Sequence, residues 1–384
     1  MRRLAMGVVV ALAAAAACAS PPAEPADVVR TDSAGVRIVT SGPVDRPLPW
    51  RFDSVDVLRD TLGEPWPAQV VRPQQVLIDR AGRTYVLTRD EGIVRFGLDG
   101  RFDRTIGRPG SGPGEFRFPI ALTAKGDTLV VHDVAKRALV RFSSGLAPVA
   151  EQPLAGALAD MGAIAFRAGG LWFSDFIRDD SVQGVALRTD TAGGPPLAQV
   201  VVPHGASVQF SCIGIPQSTP LFSPTLNWAA NGPRIVVNEQ PGYSLSLYEG
   251  VRLVAQVRRP LAARAPTVDD VRELYPDGFR LAFGDGRPGC VVPAEELAER
   301  QGLAEVLPFV HGVQLLSDGT IWASRTRFGS VRTAIDVFGS DGAYVGTVHG
   351  VQLPLGRYPN GDLLLLREDS VSAEVVMQRV SVRR

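Results

Sequence analysis

Residues 76–102 read VLIDRAGRTYVLTRDEGIVRFGLDGRF, and this stretch decides the fold of the chain. Four short apolar runs alternate with three turns that contain glycine, the last of which is an Asp-Gly pair. Apolar runs of this length bounded by glycine are typical of β-strands, and an Asp-Gly pair between two of them is typical of a hairpin. The stretch therefore predicts an antiparallel four-stranded sheet.

The same order of strands and turns returns along the chain. A clear copy covers residues 120–146, and fainter copies cover 163–194, 227–254, 314–346 and 357–382. The second strand of each copy ends at a charged residue, and these six residues are Arg89, Asp133, Asp175, Glu239, Arg325 and Arg367. They lie 44, 42, 64, 86 and 42 positions apart, and a base period near 42–44 is that of a propeller blade rather than of a helical repeat.

The 86-residue interval is long enough to hide a seventh blade. Residues 260–305 show no strand-like alternation and carry two helix signals instead. Thr267 precedes an acid by three positions, as in a capping box, and a second segment runs from Pro293 to Gly302, as in a helix with proline at its start and glycine at its stop. The pattern favours a helical insertion between blades four and five, and a seven-bladed ring is the alternative.

The C-terminal repeat ends after its third strand, at Val382. An open third strand would leave a sheet edge exposed, and residues 53–63 resemble the fourth strand of another repeat. We therefore expect an N-terminal strand to complete the last blade. The predicted fold is an all-β, six-bladed β-propeller of four-stranded antiparallel blades over residues 32–384, with insertions at 203–225 and 258–309.

The N-terminus predicts export. Residues 1–17 have a basic start and an apolar run too short to span a membrane with flanks, as in a signal peptide. They end in small residues before Cys18, which resembles the lipobox of bacterial lipoproteins, although Ala15 stands where leucine is usual. An ordinary cleaved signal peptide is the alternative. Residues 18–31 are rich in proline and alanine and are predicted to be a lipidated cysteine and a flexible tether.

Residues 107–119, which read GRPGSGPGEFRFP, and the strand that follows them resemble an NHL repeat. The mature chain as a whole is similar to the exported six-bladed propeller lipoproteins of bacteria. This resemblance implies the fold and a periplasmic or outer-membrane location. It does not fix an activity, because such propellers include lactonases, lyases and binding proteins.

Composition excludes several partners. The 384 residues contain 40 Lys+Arg and 40 Asp+Glu, so no charge excess favours nucleic acid or an anionic membrane surface. No apolar segment after the signal peptide is long enough to span a bilayer, so membrane contact is expected through the lipid anchor only. We expect a monomer.

Apart from Cys18, the chain has two cysteines. Cys212 and Cys290 both lie in connections from the fourth strand of one blade to the first strand of the next, so both project from the same face of the propeller. Export to an oxidising compartment permits pairing. We predict a Cys212–Cys290 disulfide.

No catalytic residue is predicted. The glycine-rich segment 107–116 lacks the Lys-Ser/Thr of a phosphate loop, the four histidines share no metal-binding spacing, and no G-x-S-x-G elbow occurs. The remaining candidate is a ring formed by the six charged ends of the second strands. Asp133, Asp175 and Glu239 would hold a divalent cation, Ca²⁺ or Mg²⁺, and Arg89, Arg325 and Arg367 would bind an anionic group. The alternative is that the three acids and the three arginines only neutralise each other's charge.

The sequence favours a non-catalytic binding or scaffold protein of the cell envelope, with a loop-rich face presented to a small ligand or a protein partner. The alternative is a divalent-metal-dependent hydrolase or lyase of the gluconolactonase kind, with its site at the mouth of the central channel. Such an enzyme needs an asparagine beside its acids, and Asn238, next to Glu239, is the nearby candidate.

Overall fold

Strands dominate the chain, as the sequence predicts. The computed structural model describes residues 27–66, 75–88, 90–154, 164–167, 170–178, 181–189, 194–215, 218–239, 241–281, 289–325, 334–368 and 375–384. The predicted signal peptide, Cys18 and Arg89 lie outside these residues. Within the described ranges, no helix has the length and apolar character needed to cross a membrane.

The N-terminal half begins with an arm and continues with three sheets. The arm contains β1 (Val29–Ser33), β2 (Val36–Thr40) and β3 (Arg51–Val57). Sheet 1 contains β4 (Val76–Ile78), β5 (Thr84–Thr88), β6 (Gly92–Phe96) and β7 (Phe102–Ile106). Sheet 2 contains β8 (Pro119–Lys125), β9 (Thr128–Asp133), β10 (Ala138–Phe142) and β11 (Pro148–Pro153). Sheet 3 contains β12 (Ile164–Arg167), β13 (Gly170–Arg178), β14 (Val182–Thr189) and β15 (Ala198–Pro203).

Three further sheets follow, separated by short elements. A small hairpin contains β16 (Val208–Gln209) and β17 (Gly214–Ile215), and sheet 4 contains β18 (Leu226–Asn231), β19 (Arg234–Glu239), β20 (Ser244–Glu249) and β21 (Arg252–Arg258). The next connection contains α1 (Val268–Leu274), β22 (Phe279–Leu281), β23 (Cys290–Val292) and α2 (Ala294–Gln301). Sheet 5 contains β24 (Gly312–Leu315), β25 (Ile321–Ser324), β26 (Ala334–Phe338) and β27 (Tyr344–His349). Sheet 6 contains β28 (Gly356–Arg357), β29 (Leu363–Glu368), β30 (Val375–Arg383) and the arm strand β3.

Within each sheet, neighbouring strands along the chain pair antiparallel. The turn between the first and second strands is tight and needs a residue in the left-handed region. Gly82 in sheet 1 (φ +92°) and Gly319 in sheet 5 (φ +82°) meet this need, because glycine has no Cβ to clash there. The glycine turns that define the sequence repeat are therefore required by backbone geometry.

The sheets are joined by apolar contacts into a β-propeller. Hydrophobic clusters connect each sheet to the next, and one of them connects sheet 6 back to sheet 1, where Phe96 packs with Leu364 and Met377. First strands also contact each other, with β28 against β4, β4 against β8, β8 against β12 and β18 against β24. The first strands therefore lie at the centre and the fourth strands at the rim.

The N-terminal arm runs along the rim and touches four consecutive sheets. Strand β2 pairs in parallel with β21 of sheet 4, and β3 pairs antiparallel with β30 of sheet 6. Between them, Leu48 donates its N–H to the Thr347 carbonyl of sheet 5 at 2.8 Å. Beyond β3, Arg59 donates to the Gly100 carbonyl and accepts from the Phe102 N–H, at 2.9 and 2.8 Å, at the edge of sheet 1.

The arm differs from the prediction in two respects. The strand that completes sheet 6 is β3, at Arg51–Val57, rather than residues 53–63. The tether predicted over residues 18–31 is also too long, because β1 begins at Val29 and its β-branched residues pair with β2. The composition alone suggests a tether, but residues 29–31 are ordered because they pair with β2.

The described residues of 203–225 and 258–309 pack against each other, and we call them together the insertion module. They share a hydrophobic core that includes Phe210, Phe222, Val271 and Leu297. A disulfide joins Cys212 to Cys290 with a Cα–Cα distance of 5.8 Å, within the range that disulfides adopt. The module therefore has its own small core, apart from the clusters between the sheets.

Candidate functional site

The first strands of all six sheets line one central cavity of about 580 Å³. Ligand pockets in proteins commonly measure about 300–1,000 Å³, so the cavity is large enough for a small organic molecule. The lining consists of residues 76–80, 122–124, 164–165, 228–232, 313–317, 355–357 and 359. Because every sheet contributes, the cavity lies on the axis of the propeller.

The lining changes from apolar to polar toward the turns between first and second strands. In sheet 1, residues 76–78 are apolar, and Asp79 and Arg80 follow them at the turn. In sheet 6, Leu355 comes first and Arg357 stands next to the turn. Aliphatic residues thus line the body of the cavity together with polar groups, and charged residues stand at its mouth, at the end of the propeller that we call the turn face.

Asp79 at the mouth is held by its own turn. Its Oδ1 accepts the N–H groups of Ala81 and Arg83, each at 2.9 Å, and its Oδ2 accepts from Arg83 Nε at 2.7 Å. Burial alone would raise the pKa of Asp79, but the hydrogen bonds from Arg83 and Ala81 outweigh it and lower the pKa. Asp79 is therefore ionised and already paired, and its charge is compensated by Arg83.

Two arginines complete the mouth. Arg357 Nη1 lies 3.4 Å from Asp318 Oδ2, and the other carboxylate oxygen of Asp318 accepts from the backbone N–H and the hydroxyl of Thr320. Arg80 is exposed and makes no hydrogen bond or ion pair to another described residue. Among the described residues, the charged groups that line the cavity are therefore one paired acid, one weakly paired arginine and one unpaired arginine.

Trp228 lines the cavity on sheet 4 and is fixed in position. Its indole Nε1 donates to the Ser174 hydroxyl of sheet 3 at 2.8 Å. The ring packs against the apolar cluster between sheets 3 and 4, so Trp228 is a fluorescent residue at the edge of the cavity.

The predicted acids are bonded to separate partners within the propeller and are not gathered at one centre. Asp133 is fully buried at the end of β9 and accepts three backbone N–H groups, from Arg117 at 2.6 Å, Phe118 at 3.1 Å and Lys136 at 2.9 Å. Asp175 lies inside β13 rather than at its end, and pairs with Arg188 at 2.7 Å. Glu239 ends β19, is exposed, and accepts the N–H of Gln199 at 3.1 Å.

The two predicted arginines that the structure describes also have separate surroundings and do not share a site with the acids. Arg325 lies 2.6 Å from Asp45 of the arm and 3.2 Å from Asp336, so the carboxylates that it binds are internal. Arg367 is half-buried in β29 with no carboxylate at ion-pair distance among the described residues, and burial lowers its pKa. Arg89 lies outside the described part of the chain.

The structure does not bring the described members of the predicted ring together as a site. None of its five described members lines the cavity, and no three His, Cys, Asp or Glu residues of the described chain are grouped to hold a metal ion, so Asp133, Asp175 and Glu239 are not a ligand set. The reason is the order of strands in a sheet. First strands form the channel wall, and second strands lie about 4.8 Å farther out, where their charged ends meet neighbours in the sheets.

Asn238, the predicted companion of those acids, is also structural. It is fully buried, and its Nδ2 donates to the carbonyls of Gly242 and Ser244, each at 3.0 Å. These bonds close the turn between β19 and β20. The asparagine therefore stabilises a turn rather than joining Asp133 and Asp175 at a shared centre.

The residues at the cavity mouth were not predicted from the sequence. A signal was present, because first strands run directly into polar turns, as at Asp79-Arg80, Asn231-Gly232 and Ser317-Asp318-Gly319. From the sequence alone, we interpret these turns only as the boundaries between strands of the repeat. Placing them at the end of the innermost strand would have assigned them to the mouth.

Comparison with known proteins supports the fold and does not identify a family. No protein-family model matches the chain, and no curated protein matches it in sequence. A protein of Bacteroides fragilis described as exported has a TM-score of 0.50 at 8% identity, over 90% of this chain and 99% of that one. A member of the DUF4221 family from Bacteroides vulgatus has a TM-score of 0.44 at 9% identity, over 87% and 99%. Regucalcin, a calcium-binding protein from Agrobacterium tumefaciens, has a TM-score of 0.40 at 12% identity, over 89% and 96%. At such identities the first likeness shows a shared fold alone.

Proposed function

We propose that this protein is an exported, six-bladed β-propeller that binds a small organic ligand in its central cavity. The six sheets are its blades, and residues 258–309 are a helical insertion between the fourth and fifth. The binding function keeps the class favoured by the sequence but places the site on the turn face rather than on the face of the long connections. Neither insertion contributes a residue to the cavity lining.

One observation carries the proposal, namely the convergence of all six first strands on one cavity of about 580 Å³. Blades packed around an axis leave a central channel, and in this chain the channel is wide enough to hold a small organic molecule. Its wall combines apolar residues with a few polar groups at one end, which is the usual composition of a ligand site. The metal-dependent hydrolase alternative lacks a comparable observation, because its predicted acids are dispersed, and a divalent cation has no ligand set among the described residues.

A cavity-filling variant tests this function. N-phenyl-1-naphthylamine is a neutral aromatic probe that becomes fluorescent in apolar surroundings, and we expect it to bind in the cavity. Thr123 lines the cavity and is half-buried. The Thr123→Phe substitution should weaken binding of this probe at least about tenfold, since it removes part of the space.

Thr105→Phe is the matched control, because Thr105 is exposed on the rim strand β7. It should bind the probe as the wild type does. If Thr123→Phe does not fold, judged by circular dichroism, Thr123→Leu gives a smaller filling at the same place. Wild-type affinity in a folded filling variant would show that the cavity is not the binding site.

We also propose that the chain is anchored by lipid at Cys18 in the periplasm or outer membrane. The apolar run and the small residues before Cys18 support this. Cys18→Ser should move the protein from the detergent phase to the soluble periplasmic fraction. An unchanged distribution would contradict lipidation.

A further inference from the structure

We infer that the ligand of the cavity is an amphipathic organic anion, with an apolar body inside and a carboxylate, phosphate or sulfonate at the mouth between Arg80 and Arg357. This inference rests on the proposed cavity-binding function and adds the chemical class of the ligand. It differs from the metal-bridged or zwitterionic ligand that the charged ring suggested.

The apolar part follows from the wall. Residues 76–78 and 313, 315 and 316 are aliphatic, and Leu122, Ile164 and Leu355 extend the same surface around the axis. An aromatic or aliphatic body gains from leaving water where it meets these side chains. Among the described residues that line the wall, the polar exceptions are near the turn face, apart from Thr123 and Gln314.

Gln314 is not available as a strong partner for a polar ligand. Its Nε2 donates to the carbonyls of Pro354 and Leu355, at 3.1 and 3.2 Å, and so ties sheet 5 to sheet 6. Asn231 likewise uses its Nδ2 on the Leu315 carbonyl at 3.3 Å. Both amides therefore use donors within the propeller, and the charged donors at the mouth are the guanidinium groups of Arg80 and Arg357.

The anionic part follows from the charge balance at the mouth. Asp79 is neutralised by Arg83 and by two backbone N–H groups, so it neither attracts a cation nor competes for Arg80. Arg357 keeps free donors, because its contact with Asp318, at 3.4 Å, involves one guanidinium nitrogen. A planar guanidinium binds a carboxylate, phosphate or sulfonate through two parallel hydrogen bonds, and the apolar wall beside it lowers the local screening.

A pair of matched probes tests the ligand class. 8-Anilino-1-naphthalenesulfonate is the anionic counterpart of N-phenyl-1-naphthylamine, with the same aromatic framework and one added sulfonate. We expect the wild type to bind the sulfonate probe more tightly than the neutral one. Arg80→Gln and Arg357→Gln should each weaken binding of the sulfonate probe about fivefold to tenfold and leave the neutral probe within about twofold.

Arg104→Gln is the control, because Arg104 is an exposed arginine on the rim strand β7 and lies far from the axis. It should change neither affinity. Sulfonate binding that is unaffected by Arg80→Gln and Arg357→Gln, with neutral-probe binding still sensitive to Thr123→Phe, would overturn the ligand class and leave the proposed function standing. Insensitivity of both probes to Thr123→Phe would overturn both.

Competition separates the sources of the anionic group. Decanoate, decyl phosphate and decanol share an apolar chain and differ in the head group. Displacement of the sulfonate probe by either anion at concentrations where decanol has no effect supports the inference, and the stronger anion identifies the head group. Equal displacement by decanol would contradict it.

Discussion

The guanidinium of Arg259 donates to the carboxylate of Asp336 across 2.7 Å, and neither side chain is exposed to solvent. Asp336 also accepts from the hydroxyls of Tyr243 at 2.5 Å and Thr347 at 2.6 Å. Burial and the neighbouring carboxylate raise the pKa of Tyr243 well above its ordinary value, so its hydroxyl stays a donor. This buried pair joins sheet 4 to sheet 5.

The same arginine holds the N-terminal arm. Arg259 Nη2 donates to the carbonyls of Pro43 and Val44, at 3.2 and 3.1 Å, and to the Asp45 carboxylate at 3.0 Å. Its guanidinium also lies 3.9 Å from the ring centroid of Tyr344. The arm is thus fixed to the rim through one residue that follows the last strand of sheet 4.

We predict that Arg259→Met lowers the free energy of unfolding by about 3–5 kcal/mol, because it removes the closer countercharge of the buried Asp336 and leaves it with Arg325 at 3.2 Å. Urea unfolding measures the change. The matched control is Arg383→Met, which breaks an exposed pair with Asp53 and should leave the free energy of unfolding almost unchanged. Equal costs for the two variants would show that the buried pair does not organise the rim.

Asp133 gives a second prediction, because it serves the fold rather than a ligand. Asp133→Ala removes the acceptor of three backbone N–H groups at a fully buried site and should cost about 2–4 kcal/mol. Glu239→Ala, at the equivalent strand end of sheet 4 but exposed, should cost less than about 1 kcal/mol. Neither substitution should change probe binding in the cavity. If Asp133→Ala lost probe binding while its free energy of unfolding stayed unchanged, Asp133 would have to be assigned to the ligand-binding site.

Asp270 gives a pH-dependent prediction for helix α1. A hydrogen bond from Arg264, with others from the N–H and hydroxyl of Thr267, lowers its pKa from 3.8 to about 2, against a smaller opposing effect of burial. Because the folded pKa lies below the ordinary value, this stabilisation is present above about pH 4 and is lost as the pH falls toward 2.

Asp270→Asn should therefore be less stable than the wild type at pH 7, and the difference should shrink steadily between pH 4 and pH 2. Urea unfolding at a series of pH values measures this. Asp277→Asn is the control, since Asp277 is largely exposed and lies 3.9 Å from its nearest arginine. A difference between Asp270→Asn and wild type that is constant down to pH 2 would contradict the assignment.

The disulfide prediction concerns the insertion module. With Cys18→Ser to remove the third cysteine, the denatured, unreduced protein should show no reactive thiol. Reduction should destabilise the protein by up to about 4–5 kcal/mol, the value for a loop of 78 residues in the chain-entropy treatment. Probe binding in the cavity should persist, because Cys212 and Cys290 lie outside its lining. Two reactive thiols before reduction would contradict the pairing.

The repeat could be predicted because its physical cause is local. Positions such as Gly82 and Gly319 need a left-handed backbone, so glycine returns there in the sequence with the period of the sheet. The helix signals at Thr267 and Pro293 are equally local, and helices α1 and α2 begin directly after them. Elements whose determinants lie within a few residues were therefore recognised.

The site and the arm could not be predicted because their causes are not local. The interpretation of Asp133 as a ligand failed because the N–H groups of Arg117 and Phe118, which it accepts, lie sixteen and fifteen positions earlier. The path of the arm depends on Arg259, more than 200 positions away from Pro43 and Val44. Charged residues at turns look alike in sequence, whether their partners are internal or a ligand.

The most direct test of the central claim is a crystal structure of the mature protein grown with 8-anilino-1-naphthalenesulfonate. We expect the aromatic rings of the probe to lie in the central cavity, with the sulfonate within hydrogen-bonding distance of Arg80 or Arg357. A cavity without the probe, or a probe bound at the second-strand ends near Arg325 and Arg367, would contradict it.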